Sequence, residues 1–140
     1  MVDDRFDKIG PMLGTVGAEA TAIVGGDPDG LYIYAEVEDG SVYAAVFMDE
    51  GEAVRYYDPT HELFDQIGKV WDAGDPDEAK RWVVMEYEVR GGKFDTQFKY
   101  RGELDPDDYV VDRRRAALKA RYGDKPVIYP PRPEPLKPAD

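Results

Sequence analysis

Residues 31–48 read LYIYAEVEDGSVYAAVFM, and this stretch decides the fold. Leu31, Ile33, Ala35 and Val37 fall on one side of an extended chain, and Tyr32, Tyr34, Glu36 and Glu38 on the other. A period of two marks a half-buried antiparallel strand. Asp39-Gly40 is a strong type I′ hairpin signal, because both residues tolerate positive φ. Ser41–Met48, rich in Val, Tyr and Phe, then returns as the second strand. Asp49–Glu52 supplies another turn and Ala53–Tyr57 a third strand, so the region reads as a meander.

Upstream, Thr21–Val24 reads as a short strand before the turn-rich Gly25–Gly30. The first twenty residues point to a short or broken helix. Asp3, Asp4 and Asp7 suit a helix N-terminus, and Phe6, Ile9 and Leu13 keep helical spacing. Pro11 removes a backbone donor, however, and Gly10, Gly14 and Gly17 make an unbroken helix costly.

Downstream, Thr60 caps a predicted helix whose apolar residues are Leu63, Phe64, Ile67, Val70 and Trp71, an amphipathic stripe. Trp82–Val89 and Lys93–Tyr100 form a second hairpin across Arg90-Gly91-Gly92. Asp105-Pro106-Asp107-Asp108 reads as the N-cap, the first-turn proline and two first-turn acids of a last helix. Its arginines Arg113, Arg114, Arg115 and Arg121, with Lys119, complement the macrodipole, and Tyr109, Val110, Ala117, Leu118 and Tyr122 are the expected buried face. Gly123 stops it. Strands in two blocks, without regular βαβ alternation, predict an α+β fold: a single antiparallel sheet built from a meander plus a hairpin, with helices packed mainly on one face. Residues 1–125 form the expected domain, and residues 126–140 an extended or disordered Pro-rich tail, whose Pro130-Pro131-Arg132-Pro133 has the form of a polyproline ligand.

The acidity is lopsided. Through Thr60 there are thirteen Asp/Glu against three Lys/Arg, from His61 to Glu103 ten against seven, and from Asp105 onward seven against eight, for a net charge of −12. A field of one sign repels polyanions and attracts basic partners, which argues against direct nucleic-acid binding. Cysteine is absent, which excludes disulfides, a thiolate metal site and a thiol nucleophile. No apolar run reaches membrane-spanning length and the N-terminus lacks a signal-peptide pattern, so the expectation is a cytoplasmic protein without membrane contact.

Catalytic signatures are missing. His61 is the lone histidine and is read as a surface helix residue, and no phosphate-binding loop, dinucleotide fingerprint, nucleophile elbow or HExxH motif occurs. Asp72, Asp75, Asp77 and Glu78 lack calcium-loop spacing and are read as a solvated helix end. No catalytic residue, metal ligand or cofactor is therefore assigned. The candidate partner-binding set is Tyr32, Tyr34, Glu36, Glu38, Asp39, Tyr43, Asp49, Glu50 and Glu52, carboxylates around tyrosines in the manner of an interface rim and its anchors.

Three segments together resemble the YezG-like family of bacterial immunity proteins, which includes the EsaG-type antitoxins of secreted nucleases. They are LYIYAEVEDGSVYAAVF from Leu31, WVVMEYEVRGGKFDTQFKY from Trp82 and DPDDYVVDRRRAALKARYGD from Asp105. The likeness spans roughly residues 30–125, and the chain departs from the family at its glycine-rich N-terminal segment and its Pro-rich tail. The resemblance implies a non-enzymatic α+β protein that binds and neutralises a basic nuclease toxin domain of its own bacterium. It carries over no catalytic residues. The alternatives are a small carboxylate-based enzyme dependent on a metal or ligand, and a non-toxin interaction adaptor.

Overall fold

The computed structural model describes residues 4–130, with side chains from Ile9 onward. Asp3, the side chains of Asp4, Phe6 and Asp7, and the tail from Pro131 lie outside what is described. Three helices and six strands make one α+β unit. The strands are β1 (Leu31–Glu38), β2 (Ser41–Asp49), β3 (Val54–Tyr57), β4 (Trp82–Arg90), β5 (Lys93–Tyr100) and β6 (Val127–Ile128). They form a single sheet in the order β5-β4-β1-β2-β3-β6, antiparallel throughout except for the parallel β3–β6 pair.

The β1–β2 hairpin closes through Asp39 and Gly40 at φ 51° and 80°, the left-handed pair that a type I′ turn requires. Its register runs from Leu31 opposite Met48 to Glu38 opposite Ser41. The second hairpin docks beside the first, so that β4 pairs with the free side of β1 and puts β1 in the interior of the sheet.

Helices α1 (Asp4–Val24) and α2 (His61–Asp72) cover one face. Thr60 Oγ1 accepts from the Leu63 N–H at 3.2 Å and starts α2. Leu63, Ile67, Val70 and Trp71 are then buried with Leu13, Val16 and Ala20 of α1 against Leu31, Ile33, Ala35, Val37, Met85 and Tyr87. Helix α3 (Val110–Tyr122) packs on the opposite face. There Ala117, Leu118 and Tyr122 lie with Leu104 and Val127 on Tyr32, Tyr34, Ala45, Phe47, Val54, Val83 and Val84.

Three local expectations change. Asp4–Val24 is one helix of 21 residues running through Pro11, and the predicted strand at Thr21–Val24 is its last turn. Leu13, Val16 and Ala20 extend a single apolar stripe, whose burial outweighs the one backbone bond that proline forfeits. Second, β1 is buried on both faces rather than half-buried, because α3 covers the side that carries Tyr32 and Tyr34. Third, α3 begins at Val110, not beside Pro106. Asp105 Oδ1 accepts from the Asp107 N–H at 2.9 Å, folding that segment into a turn, and Tyr109 is left 74% exposed.

Gly17 has a steric task. A Cβ there would stand 2.3 Å from Tyr87 Oη, which donates to the Leu13 carbonyl at 3.0 Å. Gly17→Ala is therefore expected to destabilise the protein by about 2 kcal/mol, the scale of core overpacking. Urea denaturation checks this, and the penalty should shrink in a Tyr87→Phe background, where the obstructing oxygen is gone.

Candidate protein-interaction site

Three arginines of α3, Arg113, Arg114 and Arg121, turn toward the sheet, while Arg115 is exposed. Arg113 grips Glu36 with two bonds, Nε to Oε2 at 2.9 Å and Nη2 to Oε1 at 2.7 Å. Tyr34 Oη donates to the same carboxylate at 2.6 Å, and Arg113 Nη1 reaches the Asp108 carbonyl at 2.6 Å. Glu36 is 3% exposed, so its charge survives burial because three donors replace its lost water. Arg114 donates to the hydroxyls of Tyr43 and Tyr129 at 2.5 Å and 3.0 Å, with its guanidinium 5.3 Å from the Tyr56 ring centre. Arg121 stands 4.2 Å over the Tyr32 ring and donates to Glu88, while Tyr32 Oη donates to Glu86 at 2.5 Å.

These contacts shift the titrations of the groups involved. Burial, reinforced by the Glu86 carboxylate, pushes the Tyr32 hydroxyl far above the phenol range, and burial with Glu36 does the same to Tyr34. The hydrogen bond from Arg121 holds Glu88 below the usual carboxylate value. Asp49 is lowered first by the Gly51 N–H and then by Lys125 at 3.0 Å.

The predicted partner-binding set therefore splits. Tyr32, Tyr34 and Glu36 are interior, covered by α3, and a partner cannot touch them while that helix is seated. Alternation along β1 placed them outward only on the assumption of a bare second face. Tyr43 is half-buried under Arg114. Glu38 and Asp39 are exposed at one end of the β1–β2 hairpin. Asp49, Glu50 and Glu52 lie at the other end, where Asp49 pairs with Lys125 and Glu50 with Arg55 at 3.0 Å each. The structure does not gather the set into one patch.

A different cluster forms beside Glu38. The chain between β5 and α3 carries Glu103, Asp105, Asp107, Asp108 and, in the first helical turn, Asp112, all exposed. Glu38, Asp105 and Asp108 line one small hollow together. Asp105, Asp108 and Glu103 also rim an open cleft of about 890 Å³ between α3 and the β4–β5 hairpin, with Glu86, Glu88, Arg90, Lys99 and Arg121 along its walls. Tyr109 and Val111, 74% and 54% exposed, stand within this acidic segment. Sequence reading treated these acids as helix caps. The available signal was the DPDDY string itself, four polar or turn-forming residues leading into an aromatic with no buried position to occupy.

His61 is exposed at the start of α2, with Nε2 3.6 Å from Asp65 Oδ2, as a surface helix residue. Among the described residues no group of three or more His, Asp or Glu side chains is placed to hold a metal ion, and no helix is long and apolar enough to cross a membrane. No protein-family model matches the chain, and no curated protein matches it in sequence.

Removing one member of a buried ion pair strands the other. Arg113→Ala is expected to cost about 3 kcal/mol in urea denaturation. Replacing Glu36 and Arg113 together by Leu and Met should cost clearly less than the single change.

Acid should loosen the α3 face. Glu88 is depressed in the folded state, so its contribution is complete above its ordinary pKa of 4.5 and is lost as pH falls through its lower folded value. Melting temperature measured from pH 7 to pH 3 should fall along that limb, and Glu88→Gln should flatten the fall.

Proposed function

We propose that this protein is an immunity protein that binds and neutralises a secreted nuclease toxin of its own bacterium, meeting a basic surface of the nuclease domain with an acidic one. The observation that carries the reading is the segment from Glu103 to Asp112. There exposed Tyr109 and Val111 sit among Asp105, Asp107, Asp108 and Asp112, beside Glu38 and Asp39. An exposed aromatic ringed by carboxylates has the composition of an interface anchor with a polar rim. Nuclease domains neutralise phosphates and are basic where they do so, which makes them the fitting counterpart. The inward turn of Arg113, Arg114 and Arg121 supports the same reading, since it withdraws cations from a surface whose neighbouring acids stay in water. The likeness of the three quoted segments to the immunity family points the same way.

The test is association with a basic nuclease toxin domain of the same bacterium, sought first in the neighbouring genes and followed by biolayer interferometry across a salt series. The triple variant Asp105→Lys, Asp107→Lys, Asp108→Lys should slow association by about tenfold or more and flatten its salt dependence. Tyr109→Ala should act mainly on dissociation. Neutralisation of the toxin unchanged in the triple variant would move the interface elsewhere. Failure of the wild-type chain to protect cells expressing the toxin would remove the function itself.

A second reading draws on the open cleft, whose wall carries Glu86, Glu88, Glu103, Asp105 and Asp108 over an apolar floor of Val84, Leu104, Ala116 and Ala117. With Arg90, Lys99, Arg113 and Arg121 beside those acids, the arrangement suits a small carboxylate-based enzyme acting on a polar ligand that carries both charges. A Glu86→Gln variant separates the two readings, because it alters ligand turnover and leaves toxin association in place.

A further inference from the structure

The two edges of the sheet differ. At one edge β3 is extended by β6, whereas among the described residues no strand pairs with the outer side of β5 along its 8 residues. Gly91 and Gly92 have φ 58° and 77°, the type I′ turn in which the flanking Arg90 and Lys93 exchange backbone bonds. Antiparallel alternation then directs the N–H and C=O of Lys93, Asp95, Gln97 and Lys99 toward β4 and those of Phe94, Thr96 and Phe98 outward, while the Tyr100 N–H is taken by Glu103 Oε2 at 2.7 Å. A free row of outward donors and acceptors is a template for another strand.

The side chains say which strand. Phe94, 44% exposed, and Tyr100, 47% exposed, lie on one face near the two ends of β5. Asp95, Gln97 and Lys99, all exposed, lie on the other. Consider two copies of β5 paired antiparallel about a two-fold axis through Gln97. Asp95 of each copy then faces Lys99 of the other, and Phe94 faces Tyr100, so opposite charges meet on one face and the two exposed aromatics on the other. Thr96–Phe98 is the outward backbone pair free to hydrogen-bond in this register, and Tyr100, whose N–H Glu103 already holds, offers Phe94 no donor. Shifting the axis to Thr96 would instead set Lys93 against Lys99. Self-repulsion between chains of net charge −12 is locally reduced here, since β5 carries two lysines to one aspartate.

We infer that β5 is a self-association edge, through which two copies of this chain join antiparallel, Asp95 to Lys99, into one continuous sheet. The inference does not rest on the toxin partner, because it concerns the outward backbone row of β5; that row adjoins the acidic segment where Lys99 shares a cleft with Glu103, Asp105 and Asp108.

Sedimentation velocity of the full chain over a concentration series tests it, together with amide exchange at Phe94, Thr96 and Phe98. A dimer is expected, with those amides protected more strongly as concentration rises. Asp95→Lys should weaken dimerisation by about tenfold, because it puts two like-charged pairs across the axis, and so should Lys99→Asp. The double swap Asp95→Lys, Lys99→Asp should restore it. Thr96→Pro, which removes an outward N–H and leaves the ladder to β4 intact, should abolish it without lowering cooperative melting. A monomer at all concentrations overturns the inference, as does a dimer that ignores both single reversals. So does protection of the β5 amides only when a toxin domain is added, which would assign the edge to the partner's strand.

Discussion

A carboxylate on the central strand of a sheet has to be answered by a cation, and Glu36 is answered by Arg113. Around that bond the second face of the molecule is assembled. Arg113 fixes the first turns of α3 over β1 and holds the preceding loop through the Asp108 carbonyl. Arg114 and Arg121 then lie across Phe47, Tyr56 and Tyr32, so that one helix without a strong apolar stripe of its own is seated largely by guanidinium groups. A buried ion pair of this kind adds little net stability compared with apolar packing, but it admits few alternative placements of the helix. Its gain is in orientation.

The framework was legible because alternation and turn chemistry agree. Leu31–Glu38 and Ser41–Met48 alternate around Asp39-Gly40, Thr60 caps the α2 stripe, and Gly91-Gly92 closes the second hairpin; the α+β sheet follows from them. What could not be read was the partner of each face. Tyr32, Tyr34 and Glu36 look like an outward row until something covers them, and α3 carries no long apolar stripe to announce that it does. Its arginines had an adequate local explanation in the helix dipole, which concealed their role across the sheet. The unbroken α1 has a similar cause, since local penalties at Pro11 and the glycines are small against the burial of Leu13, Val16 and Ala20.

The same misreading displaced the candidate site. Acidity was counted along the chain, and the last third looked neutral because its acids and bases nearly balance. In space they separate: Arg113, Arg114 and Arg121 face the sheet, and Asp105, Asp107 and Asp108 face water. Charge in a folded protein is a property of directions as well as of composition.

The link between Glu36 and Arg113 joins residues 77 positions apart. On a ribosome, the sheet's central strand is made long before the helix that neutralises it. Until α3 emerges, Tyr32, Tyr34 and Phe47 have no cover and Glu36 no counter-ion, so the nascent sheet is a folded half that waits on its last helix. Emergence of α3, rather than formation of the first hairpin, is then the step that completes the second face of the sheet.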